Sequence, residues 1–261
     1  KIITMPLSQK QKQNIEETII NCLRNKFKNY KPESSNMPFH YRLLGKDRMA
    51  LYSFIQSLNT TFGSSLFEPV GIALAKNKFA KAQSQYFVGD KISEGCQKTI
   101  QDIMNNLTIG IPPNKTTEIE LIRKSVNIGK INNIKTVKAD LFLEDAKGVQ
   151  YLFDLKTAKP NISNFKDFKR TLLEWVGIVL TKNPNLKINT LIAIPYNPYE
   201  PQPYERWTIK GMLDDKYELM VGKEFWDFIG GDGAYEDILN CFESAGIKMR
   251  PEIDEYFSHF K

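Results

Sequence analysis

Apolar residues recur at helical spacing through the first hundred residues and alternate with polar ones through the middle of the chain. Over residues 8–29, Ile15, Ile19, Leu23 and Phe27 fall at i, i+4, i+8 and i+12. This predicts an amphipathic helix with Ser8 as its N-cap. Residues 30–39, with Pro32 and Pro38, read as a loop. Helices are predicted over 47–58 (Leu51, Ile55, Leu58), about 69–79, and 93–107 (Ile100, Ile103, Met104, Leu107). The first part is therefore expected to be mostly helical. Then Val137, Ala139, Leu141 and Leu143 alternate with Lys138 and Asp140 over 136–143. The turn-like EDAKG follows, and then the β-formers VQYLFDLKT over 149–157. Together they predict a strand–turn–strand unit. Pro160 ends it, and Ser163 caps a helix reaching about residue 180. Residues 187–195 read as a buried strand, 195–206 as a Pro/Tyr loop, and 214–229 and 234–245 as helices. This order predicts a mixed α/β core with helical additions, divided as a helical part over 1–90 and a core with C-terminal helices over 91–261.

Composition narrows the class. Apolar residues make up 41% and charged residues 25% of the 261, as in ordinary globular chains. No apolar run reaches the roughly 20 residues of a spanning helix. Cys22, Cys96 and Cys241 form no C-x-x-C pair, which excludes a disulfide framework or thiolate zinc site and suits a reducing cytoplasm. With only His40 and His259, histidine zinc sites and Ser-His-Asp relays are poorly supplied. A metal would be held by carboxylates, which favours Mg²⁺. Lys1 opens the chain without a methionine, so residues upstream are expected to be missing, and no secretion signal is visible. Residues 1–90 carry net charge +7, 91–200 carry +5 and 201–261 carry −6, giving +6 overall. A polyanion would find its attraction over the first two thirds.

The candidate chemistry lies in the two middle strands. Asp154 and Lys156, two apart in a strand, share a face. A five- or seven-residue connection brings Asp140 onto that face, opposite Asp154 or one diagonal step away. Two adjoining carboxylates repel unless one takes up a proton or a divalent cation lies between them. Asp140 and Asp154 are thus candidate Mg²⁺ ligands, with the Leu155 backbone carbonyl as a third. Lys156 is the candidate for orienting the attacking water and stabilising charge on phosphorus. Of the four D-x-K triplets (Asp145/Lys147, Asp154/Lys156, Asp167/Lys169, Asp214/Lys216), only the second is mid-strand beside an upstream in-strand aspartate. The competing reading is a plain cross-strand salt bridge. On the following helix, Lys166, Lys169 and Arg170 stand at i, i+3 and i+4 as a basic stripe. Phe165, Phe168, Leu172, Trp175 and Val176 form its apolar side.

Asp140 followed by Asp154-Leu-Lys156 resembles the PD-(D/E)xK nuclease superfamily, with Ala139 in the place of its proline. Four further blocks resemble type II restriction endonucleases of a family whose members cut GGNCC-type sites: SFIQSLNTTFGSSLFEPVGIALAK (53–76), KISEG (91–95), PYNPYEPQPYERW (195–207) and WDFIGGDGAYEDI (226–238). The resemblance implies a mixed-sheet restriction-endonuclease-like core with helical N-terminal additions. It also implies Mg²⁺-dependent cleavage of double-stranded DNA to 5′-phosphate and 3′-hydroxyl ends, by a homodimer matching the two strands. A helical carboxylate often joins such sites, and Glu94 is the candidate here; a dipole-favoured first-turn glutamate is the other reading. Candidate DNA contacts are Lys138, Lys166, Lys169, Arg170 and Arg206, the last as a base reader or phosphate clamp or as a partner of Glu205 or Glu200. Gly230-Gly231-Asp232-Gly233 lacks the phosphate-loop pattern and reads as a helix–helix turn. Phe54, Phe62 and Phe67 read as core, and His259 as inert. Two alternatives stay open: a structure-specific repair or recombination nuclease, and a non-cleaving DNA-binding protein of nuclease-like fold.

Overall fold

The computed structural model describes residues 7–33, 36–136, 138–156, 165–205 and 211–260. Its elements group into two compact units: Lys1–Leu74 with Trp226–Lys261, and Ala75–Phe225. The C-terminal helices thus group with the N-terminal ones, and residues 75–90 with the core, whereas the sequence division falls at residue 90.

The first unit is helical. Helix α1 (Gln9–Asn29) starts at Ser8 in a capping box with Gln11, so two orphan backbone donors are satisfied reciprocally. A short helix α2 (Pro38–Leu44) follows. It buries no side chain and therefore left no amphipathic signature in the sequence. Helix α3 (Lys46–Phe62) runs through a π-helical turn at Gly63–Phe67 into α4 (Glu68–Ala75). The last helix of the chain, Ala234–Ser258, packs along α1. Phe54 is 3% exposed and sits among Phe27, Tyr256 and Phe257, in the core role expected of it. Phe62 and Phe67 pack against each other. Arg24 grips Glu252 with two nitrogens (3.0 and 2.7 Å), and Lys12 meets Asp237 at 2.6 Å. Gly231 and Gly233 take φ of 97° and 85°, so the glycine run is the tight helix–helix turn read from sequence.

The second unit is built on a mixed sheet. Its strands are β1 (Lys81–Tyr86), β4 (Ala139–Glu144), β5 (Gln150–Leu155), β6 (Ile188–Ile194) and β7 (Leu219–Val221), in the order β1-β4-β5-β6-β7. The first two pairings are antiparallel and the last two parallel. A separate ribbon pairs β2 (Lys91–Ser93) with β3 (Ile131–Asn133). Helices α5 (Glu94–Thr108), α6 (Lys115–Ser125) and α7 (Phe165–Lys182) complete the core, and α8 (Lys223–Gly230) follows β7 before α9 (Ala234–Ser258). Strands β5 and β6 are parallel, so the chain needs a crossover between them, and α7 lies in it. Leu172, Trp175, Val176 and Leu180 of α7 are fully buried with Phe142, Leu152 and Ile192 of the sheet. Gly177 lies close to β2: a Cβ there would come within 2.7 Å of Ile92 Cδ1, so a larger residue would have to push the Ile92 side chain aside. Strands β1, β2, β3 and β7 and helix α6 were not anticipated; residues 81–93 interrupt the expected helical run, and a strand occupies 219–221 within an expected helix.

Candidate active site

The hairpin β4–β5 sets the site. Glu144 pairs with Gln150 and Leu141 with Phe153, so the connection is the five-residue one. Asp145 fixes it: its Oδ1 accepts from the amides of Lys147 (2.8 Å) and Val149 (2.9 Å), while Gly148 supplies φ of 77°. Carried one step further, this register sets Asp140 directly opposite Asp154. The ladder itself ends at Leu141↔Phe153, and beyond it the Leu155 amide turns to the Asp140 side chain.

The carboxylates are held differently. Asp140 is half-buried, and its Oδ2 accepts from the Leu155 amide at 2.8 Å. Its Oδ1 accepts from the Gln85 side chain on edge strand β1 at 3.2 Å. Asp154 is 6% exposed. Its Oδ1 meets the Lys156 ammonium at 2.6 Å. Burial pushes the Asp154 carboxyl up from 3.8 to about 6; Lys156 opposes the rise, and the Asp140 charge and hydrogen bond add to it. Lys156 is confined on a second side, 4.6 Å from the Phe168 ring centroid on α7. Its backbone amide is tied to Ala193 of β6 (2.9 Å). Since neighbouring residues of a strand aim their backbone groups to opposite sides, the Leu155 carbonyl, like its amide, faces β4 and Asp140. Three hard oxygen donors and one ammonium therefore converge at the carboxyl end of β5.

Other expected site residues are placed differently. Lys169 is corrected: it is 0% exposed, with its ammonium 2.5 Å from Glu118 and 2.6 Å from Glu218. It cannot touch a phosphate, because three turns of apolar neighbours on α7 carry that face into the core. Lys115 completes the cluster, 2.9 Å from Glu218 and 2.5 Å from Thr190. Burial pulls the Lys115 ammonium down, and Lys115 and Lys169 together hold Glu218 below its usual range against its own burial. Lys138 and Lys166 are exposed, and Arg170 donates to Gln101 at 2.9 Å, so the basic stripe shrinks to Lys166 and Arg170. Glu94 opens α5 at an exposed position. Among the described residues no group of three His, Cys, Asp or Glu side chains gathers, so Glu94 does not join the two aspartates here. Arg206 lies outside the described residues, as does Ser163. His259 is exposed. Sequence reasoning missed Gln85 because β1 (KAQSQY) has no apolar face to betray it, and it placed Phe168 simply in the core.

A mixed α/β fold carrying two carboxylates and a lysine at a strand end could hold a divalent cation beside a water. Residues 7–246 match the model of the family described as type II restriction endonuclease, HinfI. The chain belongs to this family, and is a site-specific deoxyribonuclease. The type II restriction enzyme HgiCII of Herpetosiphon aurantiacus is 26% identical over 220 residues, covering 83% of this chain and 80% of that protein. MjaII of Methanocaldococcus jannaschii is 27% identical over 284 residues, covering 97% and 74%. HgiEI of H. aurantiacus is 25% identical over 223 residues, covering 84% and 80%.

Proposed function

We propose that the protein cuts double-stranded DNA by Mg²⁺-assisted hydrolysis of the PD-(D/E)xK kind, with Asp140, Asp154 and the Leu155 carbonyl as metal ligands and Lys156 beside the water. The observation that carries this is the Asp140 carboxylate held on the Leu155 amide beside Asp154, with Lys156 paired to Asp154. The donor set fits the ion: oxygen ligands only, two of them carboxylates, which leaves room for water and a phosphate oxygen. Burial holds the Asp154 carboxyl up at about 6, with Asp140 adding to the rise, and a cation bound there would favour its ionised form. Bound there, Mg²⁺ supplies a Lewis acid for the scissile phosphate and acidifies a coordinated water. Asp140, held by two donors, keeps its carboxylate in a fixed plane. Lys156, held between Asp154 and Phe168, presents its ammonium to the incoming water and to the charge that grows on the phosphoryl oxygens.

Lys138, Lys166, Arg170 and Arg206 are proposed to meet the DNA, the first three through phosphates. Two strands of opposite direction call for two sites, so the working form is proposed to be a homodimer. A GGNCC-type sequence is proposed as the target. No helix among the described residues is long and apolar enough to cross a membrane, and the free cysteines Cys22, Cys96 and Cys241 support a reducing cytoplasm.

Incubation with phage DNA and Mg²⁺ tests the whole reading. Discrete fragments with 5′-phosphate ends are expected, ending at a common sequence, and none in EDTA. Lys156→Ala should slow cutting on the order of 10²–10³-fold with binding retained. Undiminished cutting by that variant would remove Lys156 from the mechanism.

A further inference from the structure

Gln85 is unusual twice over. It is the one described non-glycine residue with positive φ, at 50°, and it lies next to the last residue of strand β1. The β1–β4 ladder runs through Ser84↔Leu141 and Tyr86↔Ala139, which sets Gln85 between them, facing Asp140. A left-handed backbone is costly for a residue with a Cβ, and Gly, Asn and Asp are its usual occupants. What the conformation delivers is aim: the side-chain amide nitrogen reaches Asp140 Oδ1 at 3.2 Å. Conformations of this kind persist where the surroundings enforce them, and they gather at functional sites.

We infer that Gln85 is a positioning residue for the metal ligand Asp140. The inference rests on the reading of Asp140 and Asp154 as the metal pair and goes beyond it. Asp140 has two oxygens and two fixed donors, the Leu155 amide on Oδ2 and the Gln85 amide on Oδ1. A single donor would leave the carboxylate free to swing about Cβ–Cγ. Two donors, one from each neighbouring strand, fix its plane and leave each oxygen a further lone pair for a cation. Outer partners of this kind orient a ligand before the ion arrives, and their loss typically weakens metal binding or activity by about 10–100-fold. The edge strand β1 thereby has a catalytic purpose that its polar sequence does not advertise.

Gln85→Gly separates the two contributions, because glycine accepts the left-handed backbone while removing the amide. Three measurements are made on the full chain beside Asp140→Ala: melting temperature without metal, the rise in melting temperature on adding Mg²⁺, and cleavage rate against Mg²⁺ concentration. Gln85→Gly is expected to melt at or above the parent temperature without metal. It should gain less from Mg²⁺ and need about 10–100-fold more of it for half-maximal cutting. Parent-like Mg²⁺ dependence overturns the inference. So does a loss of cutting that follows a lowered metal-free melting temperature, since that marks a merely structural residue. The Asp140→Ala arm tells the two levels apart. If it cuts normally, the metal-pair reading fails and takes the inference with it; if it is silent while Gln85→Gly is normal, only the role of Gln85 falls.

Discussion

At the scale of one residue, Asp154 carries the strongest physical conflict in the site. Its carboxyl titrates near 6 in the folded protein against an ordinary 3.8. Between those values the folded protein holds a proton that the unfolded chain has released. Metal-free stability therefore falls as pH rises from about 4 to above 6, and the deficit then stays constant. At 1.36 kcal/mol per pH unit, the shift amounts to about 2–3 kcal/mol. Asp154→Asn removes the ionisation, so the metal-free variant is expected to be more stable than its parent at pH 7.5 and close to equal at pH 4, by urea unfolding. Mg²⁺ should invert the order at pH 7.5, stabilising the parent and leaving the variant unchanged. A stability advantage independent of pH would show that the carboxyl ionises without penalty. The same titration governs the cofactor. Below pH 6 a proton competes with Mg²⁺ for Asp154, so the Mg²⁺ needed for half-maximal cutting should rise about tenfold per pH unit.

At the scale of an element, helix α7 shows what the sequence could and could not reveal. Its apolar positions Phe165, Leu172 and Val176 recur with the spacing of a buried stripe, and Lys169 falls inside that stripe. The signal that it is buried is therefore present in the sequence, though its i+3 spacing from Lys166 equally fits a solvated basic stripe. Its partners could not be read in advance, because Glu118 and Glu218 lie 51 and 49 positions away and only the packed fold brings them together. Within the hairpin, by contrast, everything the site needs is local. Period-two alternation and a five-residue turn sufficed to set Asp140 against Asp154. The short strands β2, β3 and β7 hold three residues each, too few to show a period at all. The four-charge cluster of Lys115, Glu118, Lys169 and Glu218 ties α6, α7 and the segment before β7 together. Lys169→Met strands Glu118 and half of Glu218 in the core, and is expected to cost about 3–5 kcal/mol. A Lys169→Met/Glu118→Met double variant should recover part of that loss. A double-variant loss equal to the sum of the Lys169→Met and Glu118→Met losses would show that the two side chains are not coupled.

At the scale of the whole molecule, net charge is the quantity that meets DNA first. The first two hundred residues carry net +12 and the remainder −6, so attraction to the duplex must come from the former. Not every cation counts. Lys169 and Lys115 are neutralised within the buried cluster, Lys81 by Glu144, and Lys156 is paired with Asp154. Lys138 and Lys166 are exposed, and Arg170 donates to the neutral Gln101 and also feels the Glu174 charge one turn along α7. Each phosphate neutralised on binding releases counterions, so the logarithm of affinity falls with the logarithm of salt concentration by about 0.9 per contact. Anisotropy titrations of a short duplex between 50 and 200 mM salt, without Mg²⁺, measure that slope. If Lys166 and Arg170 both grip phosphates, Lys166→Ala/Arg170→Ala should weaken binding at low salt and make the slope shallower by close to two. Adding Lys138→Ala should take away about one more. An unchanged slope would place the DNA against some other face, and the positive charge of the first two thirds would then have to act through side chains of the helical unit.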